Sequence, residues 1–150
     1  MVDRTRIGDT ERKRSFYVTR QYTANSASPA KFADRPQQLA ELFVERLAAG
    51  DLDGLVELYE AGALFAPNPA TEVSGSAAIR EQLADYVSAG ARITLDLRRI
   101  AVIEDIALMS SNATVVGFGE QPLVTTTTEV ARRQPDGRWL YAVDHPFFNH

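Results

Sequence analysis

Residues 43–65 read FVERLAAGDLDGLVELYEAGALF and contain two amphipathic helical patterns joined at a Gly-Asp pair. The apolar spacing of the first pattern extends back to Pro36 and predicts a helix over residues 36–49, because Gly50 favours termination there. Asp51 can accept a hydrogen bond from the first turn of a second, shorter helix. The apolar stripe of that second helix reaches Tyr59.

Further along the chain, a third helix and a series of strands are predicted. Ser76 can cap a helix that Gly90 closes, and the hydrophobic period then drops from about 3.6 to 2 residues. Helices followed by a strand meander favour an α+β fold, with three N-terminal helices packed in the concave face of a strongly bent antiparallel sheet. The expected strands are a short one at residues 64–66, before two prolines that argue against a central ladder position, and long ones near residues 93–103, 106–116, 123–133 and 138–145.

The charge distribution divides the chain near residue 36. Residues 1–36 carry eight basic and four acidic side chains, a net +4, whereas residues 37–150 carry eight basic and sixteen acidic ones, a net −8. We expect residues 1–33 to be a polar, flexible extension and residues 34–150 to form the folded domain. An edge strand around Phe16 to Tyr22 is the alternative for part of the extension. The acidic domain argues against nucleic acid as a partner.

The composition also restricts the chemistry. The chain has no cysteine and only two histidines, His145 and His150, so a thiolate site or a histidine-rich metal site is not expected. We expect no metal and no cofactor. No apolar run approaches the ~20 residues of a membrane span, and the first residues lack the apolar segment of a signal peptide. A cytoplasmic protein without a membrane partner is predicted.

The final hairpin predicts which side chains share a face of the sheet. Pairing of Arg133 with Arg138 across the Gln-Pro-Asp-Gly turn puts Glu129 and Asp144 on one face. Two carboxyl groups in one desolvated pocket differ in pKa, so one can hold a proton while the other accepts one. The alternative is that Glu129 points to solvent and Asp144 bonds to backbone or to Arg99. With this register Thr125, Thr127 and Ala142 share the carboxyl face, whereas Trp139, Tyr141 and His145 lie on the other, where His145 is a structural or interface histidine.

Three segments resemble the nuclear transport factor 2-like (NTF2-like) superfamily, and most closely its SnoaL-like branch: residues 43–65, GSAAIR at residues 75–80 and DGRWLYAVDHP at residues 136–146. The resemblance covers about residues 37–148. It implies a cone-shaped α+β barrel around a pocket for a hydrophobic small molecule. It also implies homodimers formed through the convex sheet face, with Trp139 and Tyr141 as candidate contacts.

The site residues of the superfamily carry over only in part. The resemblance places Phe43 and Pro67 where ketosteroid isomerases have an oxyanion tyrosine and a base aspartate. It places Ala113 and Val115 where epoxide hydrolases of this fold require an arginine and an aspartate. Both of those reactions are therefore disfavoured.

Three other positions match. By resemblance, Glu129 corresponds to the second oxyanion acid of the isomerases and Tyr59 to their pocket tyrosine. Asp144 matches the acid that epoxide hydrolases have on the last strand, and SnoaL-like cyclases are similar in relying on a pocket aspartate. The resemblance thus points Asp144 inward, in agreement with the hairpin parity.

Together these patterns predict a pocket protein of natural-product metabolism that acts on a polyketide or polyene by cofactor-free acid–base chemistry, such as cyclisation or isomerisation. Asp144 is the expected general acid–base and Glu129 the second catalytic carboxyl group. The alternative is a non-catalytic binding or assembly domain that holds a hydrophobic intermediate or a partner protein. The expected substrate-binding residues are Tyr59, Phe65, Asn68, Tyr86, Met109, Ser111, Thr125, Thr127 and Ala142.

Overall fold

A computed structural model describes residues 14–23 and 31–149. This part of the chain contains three helices and seven strands. In chain order they are β1 (Arg14–Tyr22), α1 (Gln38–Ala49), α2 (Leu52–Val56), β2 (Tyr59–Asn68), β3 (Thr71–Ser74), α3 (Ser76–Ser88), β4 (Arg92–Ile103), β5 (Ile106–Val116), β6 (Leu123–Arg133) and β7 (Trp139–His145).

The strands form one curled, unclosed sheet in the order β1-β4-β5-β6-β7-β2-β3. Buried side chains of all three helices and of the inner sheet face form one hydrophobic core, so the predicted α+β architecture is confirmed. Neighbouring strands are antiparallel with one exception, because β2 and β7 run parallel. Parallel neighbours need a long crossover, which α3 and the intervening strands supply.

The helices follow their apolar stripes. Leu39, Leu42 and Leu47 of α1 are all buried, and Gly50 ends the helix at φ +68°, where a side chain would be strained. The Asp51 side chain accepts a hydrogen bond of 2.9 Å from the Gly54 amide and so caps α2, as predicted. None of the described helices has the length and apolar character of a membrane-spanning segment.

Helix boundaries differ from the prediction at three points. Ser76 is the first residue of α3 and not its cap, because Gly75 holds the N-cap position and no side-chain hydrogen bond caps the helix. α1 begins at Gln38, because Pro36 and Gln37 form a preceding turn. α2 ends at Val56, and Tyr59 begins β2 instead of ending the helix. Tyr59 is buried and pairs with Tyr141 of β7; here tertiary packing overrides the helical period.

β2 is longer than predicted, and β3 was not predicted at all. β2 covers ten residues and includes Pro67, although Pro67 and Pro69 were expected to exclude a central ladder position. The ladder between β2 and β3 is irregular between Phe65 and Asn68. The missing N–H of Pro67 therefore falls where regular pairing is already interrupted.

The chain N-terminal to α1 contributes an edge strand. β1 pairs antiparallel with β4, with Phe16 opposite Ile100, which is the edge-strand alternative for this part of the predicted extension. Tyr22 at the end of β1 is buried in the core. The rest of the predicted extension, residues 1–13 and 24–30, lies outside the described residues.

Candidate functional site

The register of β6 and β7 places two carboxyl groups directly opposite each other. Glu129 pairs with Asp144, and both side chains are buried, at 6% and 7% exposure. Near the turn Arg133 pairs with Trp139, and a bulge at Ala142 shifts the pairing by one further residue. Glu129 and Asp144 therefore share the inner face, as the parity predicted, although the register differs.

The prediction that Trp139 and Tyr141 face the convex side is wrong. Both are buried, at 6% and 4% exposure, and Tyr141 pairs with the buried Ala131. The cause is the register, since a shift of one residue moves every side chain of a strand to the other face. The bulge at Ala142 then returns Asp144 to the same inner face as Tyr141.

A cavity of about 60 Å³ lies between α1, α3 and the inner face of the sheet. A single water needs ~10–15 Å³, so the cavity has room for only a few water molecules. Its wall is mostly apolar, and Glu129 and Asp144 are its acidic residues. None of the described residues that line it is lysine, arginine or histidine. The aromatic part of the lining consists of Phe43, Phe65, Tyr86, Tyr141 and Phe147.

Asp144 is held by Tyr59, which is buried but, contrary to its predicted binding role, does not line the cavity. The Tyr59 hydroxyl donates to Asp144 Oδ2 at 2.5 Å, in a buried setting. Burial raises the pKa of Asp144 to about 6, while the hydrogen bond from Tyr59 opposes that rise by stabilising the carboxylate. Asp144 is therefore mainly ionised at neutral pH, and it can accept a proton.

Glu129 has the opposite protonation state. Burial, and then the negative charge of Asp144, raise its pKa to about 8, and the Thr127 side chain partly opposes that rise. Glu129 Oε2 is buried and has no hydrogen-bond partner among the described residues. A buried polar atom normally has a hydrogen-bond partner. The missing partner therefore leaves a neutral Glu129 available to donate a hydrogen bond to a ligand.

Two buried tyrosines stay neutral beside these acids. Burial, and then the charge of Asp144, keeps the pKa of Tyr59 well above its ordinary value. Burial, and then the charge of Glu129, does the same for the pKa of Tyr141. Their rings pack at a centroid distance of 5.3 Å. Because their pKa values are raised, both hydroxyl groups remain hydrogen-bond donors across the physiological pH range.

The two predicted threonines line the cavity, but their hydroxyl groups also bond to the backbone. Thr125 Oγ1 donates to the Pro146 carbonyl, and Thr127 Oγ1 donates to the Ser111 carbonyl at 3.3 Å. These bonds fix the hydroxyl groups on the inner face of β6. The remaining lone pairs can accept from a ligand.

Of the other predicted binding residues, only some line the cavity. Phe65 and Tyr86 line the cavity, whereas Met109 and Ser111 are buried in the protein but are not part of the cavity lining. The prediction for Asn68 is wrong, because Asn68 is exposed and its side chain accepts from the Ala70 amide at the end of β2. Ala142 is half-buried at the bulge and does not line the cavity.

His145 lies apart from the cavity lining, as the parity predicted. It pairs with Thr128, and its Nε2 lies 3.0 Å from Glu72 Oε1. Across residues 14–23 and 31–149, no group of three or more His, Cys, Asp or Glu side chains is placed to hold a metal ion.

Residues 40–142, which include this acid pair, match the family model of the SnoaL-like domain. The chain belongs to the SnoaL-like family. The NTF2-like resemblance read from the sequence is thereby confirmed. No curated protein matches this SnoaL-like domain in sequence.

Several solved structures share the fold of this SnoaL-like domain. A candidate calcium/calmodulin-dependent protein kinase type II association domain from Thiobacillus denitrificans superposes with a TM-score of 0.64 at 18% identity, covering 77% of this chain and 95% of that one. A candidate dehydratase of the NTF2-like family from Streptomyces avermitilis has a TM-score of 0.60 at 21% identity, with coverage of 73% and 89%. A candidate ketosteroid isomerase from Shewanella frigidimarina has a TM-score of 0.61 at 19% identity, with coverage of 71% and 89%. At these identities the likeness establishes the fold alone.

Sequence reasoning missed part of the cavity wall of this SnoaL-like domain. Phe43 on α1 and Leu83 on α3 line the cavity, together with Pro146 and Phe147 after β7. The helical period marks Phe43 and Leu83 as inward-facing, but it cannot separate a cavity wall from a filled core. Pro146 and Phe147 follow the last strand, and no pattern marks them.

Proposed function

We propose that this SnoaL-like domain binds an apolar small molecule that carries an oxygen atom and transfers a proton on it without a cofactor. The observation that carries the proposal is the cross-strand pair of Glu129 and Asp144 in the wall of a mostly apolar cavity. Asp144 acts as the base because it is ionised, and neutral Glu129 donates a hydrogen bond to the oxygen that becomes negative. Tyr59 positions Asp144 through its 2.5 Å hydrogen bond.

The difference between the two acids supports these roles. Acid–base catalysis needs one group that is charged and one that is neutral at the same pH, and burial with mutual repulsion produces that difference. The unpartnered Glu129 Oε2 provides a donor atom for the ligand oxygen. Isomerisation or cyclisation next to a carbonyl group requires this combination, since a proton leaves carbon while negative charge develops on oxygen.

Natural-product intermediates of the polyketide or polyene type are the proposed substrate class. They combine extended apolar or unsaturated carbon skeletons with carbonyl oxygens, which suits a mostly apolar wall with two carboxyl groups. Family membership supports this class, but the substrate itself belongs to the proposal.

The reaction can be tested with a small cyclic ketone. Cyclohex-3-enone in D₂O isomerises to the conjugated enone and exchanges its α-hydrogens only when a base removes one of them. We expect the protein to accelerate both changes above buffer, as followed by proton NMR, and Asp144→Asn to abolish the acceleration. Glu129→Gln keeps a donor at the same place and is expected to retain part of the rate. Equal rates with wild type and Asp144→Asn would refute the role of Asp144.

A non-catalytic binding or assembly domain is the second candidate. Phe43 and Pro67 at the positions of two isomerase residues favour it, as does the likeness to the association domain from Thiobacillus denitrificans. In the same NMR experiment, ligand line broadening that depends on Glu129, without isomerisation or exchange, would support binding alone.

A homodimer through the outer sheet face is also proposed. On that face β5 and β6 carry exposed Leu108 and Val124, at 51% and 67%, and uncharged side chains lie between them. Uncharged surface of this kind is typical of interface cores. Analytical ultracentrifugation of the wild type should give twice the monomer mass, and Leu108→Glu should give the monomer mass. A monomeric wild type would refute the dimer. A cytoplasmic location and the absence of a nucleic-acid partner remain predictions.

A further inference from the structure

Tyr86 is a half-buried residue in the wall of the cavity, and two separate contacts hold its side chain. Its ring lines the cavity from α3. Its hydroxyl donates to the Pro67 carbonyl at 3.1 Å, and its ring stacks on Phe118, with centroids 4.2 Å apart and planes 12° from parallel. One attachment is a single hydrogen bond and the other is a single aromatic contact, so neither alone fixes the side chain strongly.

Phe118 lies in an exposed loop that has one packed glycine and one open glycine. Every residue from 117 to 122 is exposed, and the two glycines beside Phe118 have φ angles of +82° at Gly117 and +97° at Gly119. A β-carbon on Gly117 would lie 3.3 Å from the Gly90 carbonyl oxygen, so this end of the loop is packed. A β-carbon on Gly119 would meet no atom within 4 Å. Because glycine has wide conformational freedom and no atom packs against this position, we expect the backbone after Phe118 to change conformation more easily than at Gly117.

The small volume of the cavity makes a movement of its wall necessary for a larger ligand. Its volume of about 60 Å³ is well below the ~300–1,000 Å³ of a typical ligand site. A ring-bearing ligand can reach Glu129 and Asp144 only if a wall residue turns outward. Tyr86 is placed for that movement, because it is half-buried and leans on a loop with an open glycine.

We propose that Tyr86 is the gate of the cavity, with the Phe118 ring and the Pro67 carbonyl as its two latches. When Tyr86 breaks both contacts, its ring turns toward solvent and the path to the acid pair opens. The proposal rests on the proposed function only for the identity of the ligand. The gate itself is a property of the cavity and can be measured without a ligand.

The absence of cysteine from the chain allows a direct measurement of access. Ala113 is 2% exposed and lines the cavity, so Ala113→Cys puts a single thiol behind the gate. The small neutral reagent methyl methanethiosulfonate labels that thiol, and mass spectrometry follows the rate. We expect slow labelling in Ala113→Cys alone. Adding Phe118→Ala, or separately Tyr86→Phe, should each raise the rate about three- to tenfold, because each removes one latch.

Matched controls separate gating from general loosening. Phe32 is also an exposed phenylalanine, at 53%, and it does not line the cavity, so Phe32→Ala should leave the labelling rate unchanged. Thermal unfolding of each variant verifies that the fold is intact. If Ala113→Cys does not fold, Val115→Cys supplies a second thiol on the same wall.

Three results would overturn the gate: full-speed labelling in the parent, no labelling in any folded variant, or equal rates with and without both latch variants. These outcomes are independent of the proposed function. Loss of ketone isomerisation in Asp144→Asn bears on the chemistry, and the labelling rate bears on access. Either idea can therefore fail while the other stands.

Discussion

The hydroxyl of Tyr59 donates to Asp144 Oδ2 at 2.5 Å, although the two residues are 85 positions apart in the chain. The parallel pairing of β2 and β7 makes this contact possible, since it places Phe65 beside Asp144 and Tyr59 beside Tyr141. The bond joins a neutral donor to a buried carboxylate, and bonds of this kind are stronger than those between neutral groups.

Tyr59→Phe should therefore destabilise the fold and raise the pKa of Asp144. Loss of a hydrogen bond to a buried charge costs about 1.5–3 kcal/mol, so we expect a drop of that size in the free energy of unfolding in urea at pH 7. Tyr86→Phe is the control, because it removes a bond to a neutral carbonyl and should cost about 1 kcal/mol. If both variants lost the same unfolding free energy, and carbon NMR showed an unchanged pKa of Asp144 in Tyr59→Phe, the bond from Tyr59 to a charged Asp144 would be contradicted.

The two acids also predict how stability depends on pH. Burial raises the pKa of Glu129 from 4.5 to about 8 and that of Asp144 from 3.8 to about 6. The folded chain therefore binds these protons more strongly than the unfolded chain. The stabilisation is fully present below about pH 4 and is lost as pH rises through 6 and 8.

Glu129→Gln removes the larger part of that dependence. We expect it to match wild type near pH 4 and to be more stable at pH 9, by on the order of a few kcal/mol. Denaturant titrations across this range measure the effect. Glu120→Gln, on an exposed loop, should follow the wild-type curve. If the Glu129→Gln and wild-type curves ran parallel, Glu129 would titrate as an ordinary carboxyl group.

The rate of ketone isomerisation should be bell-shaped in pH. Activity should rise as Asp144 loses its proton near pH 6 and fall as Glu129 loses its proton near pH 8. Glu129→Gln should abolish the fall on the alkaline side, since an amide does not titrate there. A variant profile that still fell above pH 8 would assign the alkaline limb to another group.

The turn between β4 and β5 predicts a stabilising substitution. Glu104 has a φ of +50°, in the left-handed region, which costs a residue with a β-carbon about 1–2 kcal/mol. Glu104→Gly removes that cost, but the more flexible unfolded chain makes folding about 0.5–1 kcal/mol less favourable. We therefore expect the free energy of unfolding, measured by thermal unfolding, to rise by about 1 kcal/mol. Glu104→Ala keeps the cost and should give no gain.

Local patterns were sufficient where the structure depends on neighbours in sequence. Gly50 and Asp51 mark the junction of two helices, and the alternation after Gly90 marks the long strands. These features follow from turn conformation and side-chain periodicity, which act over a few residues. The inward orientation of Glu129 and Asp144 was likewise predicted from one hairpin.

Features that depend on distant segments were not predictable in this way. Tyr59 fits a helical stripe, but its contacts with Tyr141 and Asp144 place it in a strand. The register next to the turn, with Arg133 opposite Trp139, has no local marker, so Tyr141 was assigned to the wrong face. Asn68 was expected to bind substrate, yet it is exposed and its side chain accepts a hydrogen bond from the Ala70 amide.

The place of β7 inside the sheet affects how the protein is made. β7 is the last of the described strands in sequence, yet it lies between β6 and β2 and supplies Asp144. During translation, β2 must wait for β7 to leave the ribosome before it gains this neighbour, and such long-range pairing is slow and leaves open strand edges exposed to aggregation. The acid pair therefore forms only late in co-translational folding, and a nascent chain released before β7 would have no Asp144 and an unprotected edge on both β6 and β2.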